Sequence, residues 1–220
     1  MRDELILLDC WASSYGMRVK IALAEKGLEF ECREENFQDK SPLLLQSNPI
    51  HKTIPVLVHN GNPICDSLII VRYIDEVWHN KSPLLPSDPY ERSQALFWAD
   101  YINKNIYSIG TRVWRGKGDE DQEIAKKEFI ECLKKLENVL GDKLYFGGEN
   151  VGFVDVALVP FTSWFYTYET RGNFSITAEC PRLVSWANRC VSENQSVAKA
   201  LPHPSEIYRY ALNLLSKDPK

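Results

Sequence analysis

Long hydrophobic runs are missing from this 220-residue sequence. None approaches the roughly 18–20 apolar residues that a membrane-spanning helix needs. The charged start Met1-Arg2-Asp3-Glu4 leads only into a short apolar run at 5–8. A signal peptide needs a longer apolar stretch and a small-residue cleavage site. We therefore expect a cytosolic protein without a membrane partner.

An excess of positive charge is also missing. The chain has 26 Lys and Arg against 30 Asp and Glu, a net charge of −4. Nucleic-acid-binding surfaces gain much of their affinity from Lys and Arg contacts to phosphates, so nucleic acid is not an expected partner. The 44% hydrophobic content and the mean hydropathy of −0.31 are typical of a globular protein with a buried core.

Paired cysteine motifs are missing as well. No CxxC pair occurs, no cysteine has a histidine at metal-ligand spacing, and the four histidines show no spacing typical of a metal site or a triad. We expect no metal, and reduced thiols that are mostly packed as small hydrophobes. The six cysteines are Cys10, Cys32, Cys65, Cys132, Cys180 and Cys190.

The first third of the chain alternates strand and helix patterns. The apolar run at 5–8 predicts a strand, residues 17–28 predict a helix that ends at Gly27, and 30–33 predict a second strand. After a variable segment, 54–59 and 63–65 flank Asn60-Gly61, the strongest short-range hairpin signal. A helical pattern over 66–78 follows. This βαβ–ββα order predicts an α/β domain with a mixed four-stranded sheet.

A proline-rich connector follows at 80–89. Pro83, Pro86 and Pro89 among polar residues predict a rigid, non-helical linker. Beyond it the patterns predict an all-helical domain, with helices at 90–114, 121–140, 154–168, 181–190, 197–201 and 204–215. The predicted domains are therefore 1–79 and 90–220, with 80–89 as the linker.

Two serines follow the first predicted strand, at the start of a helix. Ser13 and Ser14 are preferred N-cap residues. The free amides and the positive dipole end of a helix N-terminus also bind anions, so a serine hydroxyl there could donate to a thiolate. From the residues alone both roles stay open.

Three further motifs have a structural and a functional interpretation. Asp66-Ser67 opens a helix, as a cap or as partners for an ammonium and a carboxylate group. Ile54-Pro55 is expected to be trans on sequence alone, since few X–Pro bonds are cis. Asp155, three residues after Gly152, is expected to accept a hydrogen bond from the cap amide, which is a structural role.

These motifs, taken in order, resemble those of the cytosolic glutathione transferases, most closely the plant tau class. The likeness covers essentially the whole chain. Each motif alone is weak, but the ordered set is specific. It rests on Trp11-x-Ser13-x-Tyr15-Gly-Met-Arg18, Lys40-Ser-Pro-Leu-Leu, Asn48-Pro49, Ile54-Pro55-Val-Leu, Asp66-Ser67 and Tyr145-Phe-Gly-Gly with Phe153-Val-Asp155.

The resemblance implies a thioredoxin-like N-terminal domain and a helical C-terminal domain, paired in a homodimer. It implies a transferase that joins the thiol of glutathione to apolar electrophiles in detoxification, with a possible peroxidase side activity. Ser13 is the implied catalytic residue, whose hydroxyl donates to the glutathione sulfur. The implied glutathione-binding residues are Lys40, Thr53, Ile54, Pro55 (as a cis-proline), Asp66 and Ser67. The implied electrophile pocket is lined by Cys10, Ala12, Tyr15, Tyr107, Thr111, Trp114 and Trp164.

The chain departs from the family pattern at five site positions, two of which, Cys10 and Ala12, have smaller side chains than is usual at the pocket rim and should widen or reshape it. Thr53 stands where many relatives have lysine, so Lys52 is an alternative partner for the glycyl end. Asp66 stands where glutamate is usual. Ser14 stands where proline is common, so it is an alternative to Ser13.

Two other functions stay open at this point. One is a glutathione-dependent thiol oxidoreductase, although those relatives have cysteine in place of Ser13 and Cys10 lies three residues earlier. The other is a carrier that binds apolar small molecules in the aromatic pocket.

Overall fold

The computed structural model describes residues 3–36 and 38–217. The outer limits predicted for the two domains, residues 1 and 220, lie outside these ranges. The chain divides into two compact units, one running to Leu85 and the other starting at Pro86. No helix of the described ranges is long and apolar enough to cross a membrane.

The first unit alternates strands and helices as predicted. Its α2 was not predicted, because six residues are too few to show a helical period. Only its capping signal is readable from sequence: the Ser41 hydroxyl accepts from the Leu44 amide, and Pro42 occupies the first turn. The elements are β1 Leu5–Asp9, α1 Ser14–Glu25, β2 Glu31–Glu34, α2 Pro42–Ser47, β3 Val56–His59, β4 Asn62–Cys65 and α3 Ser67–Val77.

The four strands form one mixed sheet in the order β2-β1-β3-β4, which confirms the predicted α/β architecture. Strand β1 pairs parallel to β2 and antiparallel to β3. Asn60 and Gly61 turn the β3–β4 hairpin with positive φ angles of 49° and 80°, as a two-residue turn of this kind requires. All five residues of β1 are buried, as in a strand covered on both faces.

Between Pro86 and residue 217 the second unit contains only helices as regular elements. Its first helix starts at Pro89 rather than at residue 90, because Asp88 caps it and proline suits the first helical position. The short α8 was not predicted. The elements are α4 Pro89–Arg115, α5 Glu120–Leu140, α6 Phe153–Leu158, a 3₁₀ segment Val159–Trp164, α7 Phe165–Gly172, α8 Ile176–Glu179, α9 Pro181–Glu193, α10 Gln195–Ala200 and α11 Pro204–Lys217.

The single helix predicted over 154–168 is wrong, because the structure breaks it into α6, the 3₁₀ segment and α7. Pro160 lies in the middle of this stretch. Proline has no amide hydrogen to donate and its ring collides with the preceding turn, so an α-helix cannot continue through it undisturbed. The chain tightens into a 3₁₀ helix there instead.

Asp155 organises the start of α6, as predicted. Its buried carboxylate accepts from the Gly152 amide at 2.9 Å, the capping interaction expected from the spacing. It also accepts from the amides of Phe146 and Gly147, both at 2.9 Å, and from the indole of Trp186 at 2.7 Å. One side chain therefore joins the 146–152 loop, α6 and α9.

A buried ion pair holds the segment after α3 against the first unit. The fully buried Lys26 donates to Asp75 at 2.6 Å and to the carbonyls of residues 81 and 82 at 2.6 and 2.9 Å. Asp75 accepts from the amides of residues 84 and 85. The first part of the predicted connector is thus packed into the first unit, which ends at Leu85.

Candidate functional site

The loop between β1 and α1 ends at Ser13, the N-cap of α1. The Ser13 hydroxyl oxygen accepts from the Gly16 amide at 3.2 Å. A hydroxyl that accepts in this way keeps its own hydrogen for another acceptor. Ser13 is half-buried, whereas Ser14 is buried. Ser13 can therefore cap the helix and still donate to an anion.

Arg18, on α1, is hydrogen-bonded to the first residue of α3. It is fully buried, and its Nη1 donates to the Ser67 hydroxyl at 3.0 Å. Its guanidinium lies 5.0 Å from the ring centroid of Tyr15. Burial lowers the pKa of Arg18 to about 10, while Tyr15 and Asp66 favour its charged form. Arg18 is thus cationic at neutral pH and keeps Ser67 in place.

Asp66 and Ser67 present different groups at the N-terminus of α3. Asp66 is the N-cap, and its Oδ1 accepts from the amides of Leu68 at 3.0 Å and Ile69 at 3.4 Å. The side chain is exposed, so Oδ2 remains available to an ammonium group. Ser67 is buried on Arg18. Asp66 therefore caps α3 through Oδ1 alone, and this leaves Oδ2 for a ligand.

Asn48, which was not predicted as a site residue, shapes the loop that carries Thr53 and Ile54. Its buried side chain donates to the Thr53 carbonyl at 2.9 Å and accepts from the His51 amide at 3.2 Å. The following Ile54–Pro55 bond is cis, as the family resemblance implied and contrary to the expectation from sequence frequencies alone. In the sequence, Asn48 was marked only by the Asn48-Pro49 motif that contributes to the family resemblance.

A buried glutamate shapes the loop that carries Lys40. Glu35 accepts from the Ser41 hydroxyl at 2.6 Å and from the Ser41 amide at 3.1 Å. This bridge leaves Lys40, directly before Ser41, half-buried at the start of α2. Glu35 was not predicted as a site residue, because a single glutamate in a segment without a strand or helix pattern does not indicate its hydrogen-bond partner.

Three of the predicted pocket residues share one face of α4. Tyr107, Thr111 and Trp114 follow each other at spacings of four and three residues, which places them in one row along a helix. Tyr107 is 51% exposed, whereas Trp114 is buried. The Trp114 ring lies 5.8 Å from that of Trp164. This helical unit therefore brings at least two predicted pocket rings into contact.

The remaining predicted pocket residues lie near Ser13 in the chain. Cys10 and Ala12 are buried and Tyr15 is half-buried. Burial raises the pKa of the Cys10 thiol to about 11, so this cysteine stays protonated at neutral pH. A protonated, buried thiol is a poor nucleophile.

Groups of three or more metal-ligating side chains do not occur within residues 3–36 and 38–217. The polar groups at Ser13, Arg18, Asp66 and Ser67 are hydroxyls, a buried arginine and an exposed carboxylate at two helix N-termini. Such groups suit an anionic, peptide-like ligand with a free amine.

Comparison with known proteins identifies the family. A family model described as "Glutathione S-transferase, N-terminal domain" matches residues 3–76, and one described as "Glutathione S-transferase, C-terminal domain" matches residues 93–194. The chain belongs to the glutathione S-transferase family. The matches span both units of this glutathione transferase.

Similar proteins support the same assignment. The probable glutathione S-transferase parA of Nicotiana tabacum is 67% identical over 215 residues, 98% of this chain and 97% of that protein. Glutathione S-transferase U25 of Arabidopsis thaliana is 57% identical over 217 residues, 99% of this chain and 97% of that protein. The tau-class resemblance and the transferase class are thereby confirmed.

Two solved structures share the fold. Rice GST1 (OsGSTU1), solved in complex with glutathione, superimposes with a TM-score of 0.96 at 48% identity over 100% of both chains. The tau-class MiGSTU of mango gives a TM-score of 0.91 at 38% identity over 96% of this chain and 98% of that chain. The predicted combination of an α/β unit and a helical unit is thus the fold of this family.

Proposed function

We propose that this glutathione transferase conjugates the glutathione thiolate to apolar electrophiles, and that Ser13 stabilises the thiolate. The observation that carries the proposal is the Ser13 hydroxyl, which accepts from the helix through its oxygen and so has its hydrogen free to donate. A thiolate placed there would also lie at the positive end of α1.

The energies involved are of the right size. A thiol with a pKa of about 8.5 is only a few per cent thiolate at neutral pH. Lowering that pKa by about two units requires about 2.7 kcal/mol. One hydrogen bond to a charged group contributes about 1.5–3 kcal/mol, and a helix N-terminus adds about 0.3–1 kcal/mol. Ser13 and α1 together are therefore sufficient.

The rest of the site suits the other groups of glutathione. The free oxygen of Asp66 matches the γ-glutamyl ammonium, and Ser67 at the positive end of α3 matches its carboxylate. We place the cysteinyl backbone on Ile54 beside cis-Pro55. The glycyl carboxylate then meets Lys40, with Lys52 or Thr53 as further contacts. The glutathione complex of the rice relative supports glutathione as the cosubstrate.

The proposed reaction needs no redox partner. The bound thiol loses its proton to solvent, and the sulfur lone pair forms a bond to the electrophilic carbon. The bond from that carbon to the leaving group breaks, and the leaving group departs with the electron pair. Positioning by the site supplies the remaining rate enhancement.

A titration of bound glutathione tests this function. The thiolate absorbance is followed against pH on wild type, Ser13→Ala and the matched control Ser14→Ala. We expect a lowered thiol pKa in wild type and Ser14→Ala, and a return towards the free value in Ser13→Ala. Conjugation of an aryl halide should then fall about 10- to 100-fold at neutral pH. A loss confined to Ser14→Ala would assign the role to Ser14 instead.

The aromatic rings of the helical unit favour a carrier function as the second candidate. Trp114 and Trp164 lie in contact inside the helical unit, and a ligand that inserts beside them would meet apolar ring faces, independently of the thiol chemistry. A fluorescent apolar dye distinguishes the two. Ser13→Ala should keep dye binding while it loses conjugation, whereas Trp114→Ala should weaken dye binding. A protein that binds the dye tightly but leaves the thiol pKa of glutathione unchanged would be a carrier.

The same thiolate gives the peroxidase side activity that we propose. It attacks the O–O bond of an organic hydroperoxide, which yields an alkoxide and a glutathione sulfenic acid. A second glutathione converts the sulfenic acid to the disulfide and water. Reduction of cumene hydroperoxide should fall in Ser13→Ala in parallel with conjugation, and an unchanged rate would separate the two activities.

We further propose that the enzyme is a homodimer. Large apolar side chains are exposed on single helices, among them Ile69 on α3 at 59% and Phe97 on α4 at 58%. Side chains such as these can become buried when a second copy packs against them. Sedimentation should give twice the 25.3 kDa chain mass, and Phe97→Glu should shift the population to the monomer. A monomeric wild type would refute this proposal.

A further inference from the structure

A buried carboxylate packs against the N-terminal turn of α1. Asp9 is the last residue of β1 and is fully buried. A Cβ atom on Gly16 would overlap the Asp9 carboxylate, so the carboxylate lies directly against the backbone of the first turn of α1. The amide of this same Gly16 donates to the Ser13 hydroxyl. Asp9 thus packs against the same first turn of α1 that Ser13 caps.

The surroundings of Asp9 neutralise it only in part. Nζ of Lys20, on α1, lies 2.8 Å from Oδ2, but neither carboxylate oxygen accepts a hydrogen bond of good geometry from the described residues. The backbone amide of Cys10 also favours the charged form. From β2, Glu34 adds a like charge while its carboxylate accepts from the Trp11 amide at 2.9 Å.

The contrast with Asp155 shows that burial alone does not explain this arrangement. Asp155 is equally buried, but it accepts four hydrogen bonds and joins three segments. Asp9 makes no comparable set of bonds. Loss of hydration is the largest influence on both carboxyl groups and raises the pKa of each, that of Asp9 to about 6, but only Asp155 has a full set of hydrogen bonds that favour its charged form.

We propose that Asp9 is a positioning residue of the transferase, whose negative charge acts through the first turn of α1 against the thiolate at Ser13. This inference rests on the proposed function of Ser13. A negative charge beside a helix N-terminus offsets part of the positive potential that the helix offers an anion. Ionised Asp9 therefore reduces the stabilisation of the thiolate by α1. When Asp9 is protonated, this stabilisation is restored in full.

This moderation has a chemical consequence. A thiolate with a lower pKa is present in a larger fraction but is intrinsically less nucleophilic, with a Brønsted coefficient of about 0.4–0.5. Asp9 would thus keep the bound thiolate more reactive than Ser13 and the helix alone would leave it. Removing the charge should lower the thiol pKa and also lower the rate at high pH, where all of the thiol is ionised.

Asp9→Asn tests this inference, with Asp75→Asn as the matched control. Asp75 is also a buried acid of the first unit paired with a lysine, but its contacts are to Lys26 and the 84–85 backbone. In Asp9→Asn the bound thiol pKa should fall by about 0.5–1 pH unit. The high-pH conjugation rate should fall about 1.5- to 3-fold. Asp75→Asn should leave both values at wild type.

The outcomes separate this inference from the function on which it rests. If wild type does not lower the thiol pKa of bound glutathione, the proposed role of Ser13 fails. If wild type lowers it and Asp9→Asn has an equal or higher thiol pKa, only the inference about Asp9 is overturned.

A measurement on the wild-type protein keeps the inference testable if Asp9→Asn does not fold. Carbon NMR of the Asp9 carboxyl should show a titration near pH 6 that moves to higher pH when glutathione binds as the thiolate. S-Methylglutathione has no ionisable thiol and should not move it. Equal shifts with both ligands, or no shift with either, would overturn the inference.

Discussion

Replacing Asp155 by alanine should unfold the helical unit at much lower denaturant than wild type. The substitution removes the acceptor of four hydrogen bonds, two of which come from fully buried donors: the Gly152 amide and the Trp186 indole. The other two donors, Phe146 and Gly147, lie in a loop that can reach water after a small movement.

The magnitude follows from the two buried donors. A buried donor without an acceptor costs about 1–3 kcal/mol, so these two account for about 2–6 kcal/mol. The partly buried donors add less, since water replaces the carboxylate. We expect Asp155→Ala to lower the free energy of unfolding by about 3–5 kcal/mol. Asp155→Asn should retain one acceptor oxygen and cost at least half as much.

Equilibrium unfolding in urea measures this change, with tryptophan fluorescence as the signal because Trp186 is one of the donors. Asp142→Ala is the matched control. Asp142 is fully exposed and forms a 3.8 Å ion pair with Arg182, so its loss should change stability by less than about 0.5 kcal/mol. A loss below about 1 kcal/mol for Asp155→Ala would refute the assignment of this side chain as the organiser of α6.

Three further predictions concern the first unit. The pKa of Asp9 is about 6 in the folded protein against an ordinary 3.8, so the folded state holds a proton that the unfolded state has already lost between about pH 4 and 6. Stability should therefore fall by about 3 kcal/mol as the pH rises through this window, and urea unfolding of Asp9→Asn should not show the fall; identical pH profiles would refute it. Lys26→Met leaves the Asp75 charge buried without its cation and should cost about 3–5 kcal/mol, with new proteolytic cleavage at 81–85; a protease-resistant variant of wild-type stability would contradict this. Gly16→Ala places a methyl group into the Asp9 carboxylate and should cost about 1–3 kcal/mol, which the double variant Asp9→Ala/Gly16→Ala should partly recover in thermal melts; an equal loss in both would contradict the contact.

Local signals in the sequence predicted most of the secondary structure. The Asn60-Gly61 turn, the caps at Ser13 and Asp66, and the Gly152–Asp155 spacing each depend on atoms a few residues apart, so short-range geometry fixes them. The six-residue α2 has too short a pattern to be read in this way. The continuous helix expected over 154–168 was wrong because the apolar pattern continues through Pro160, whereas an α-helical backbone does not.

Local sequence signals did not identify every residue of the candidate site. The sequence marks Ser13 and Asp66-Ser67 as helix caps, and the family resemblance turns these caps into predicted glutathione contacts. Neither argument found Asn48 or Glu35, which set the backbone of the loops around them through single side-chain bridges. Each bridge spans only three to six residues, but it forms only where the loop backbone folds back on itself, and no residue pattern in the sequence marks that conformation.

What the sequence by itself determined is therefore the alternation of elements, the helical second unit, the caps and the family. Only the tertiary structure decided the pairing of Arg18 with Ser67, 49 positions apart, and the burial of Asp9 against Gly16. Both depend on packing helices onto a sheet, since burial is a property of the assembled core and not of neighbouring residues. The ionisation of Asp9 follows from that burial, because removing a carboxylate from water changes its pKa far more than any nearby residue in the sequence can.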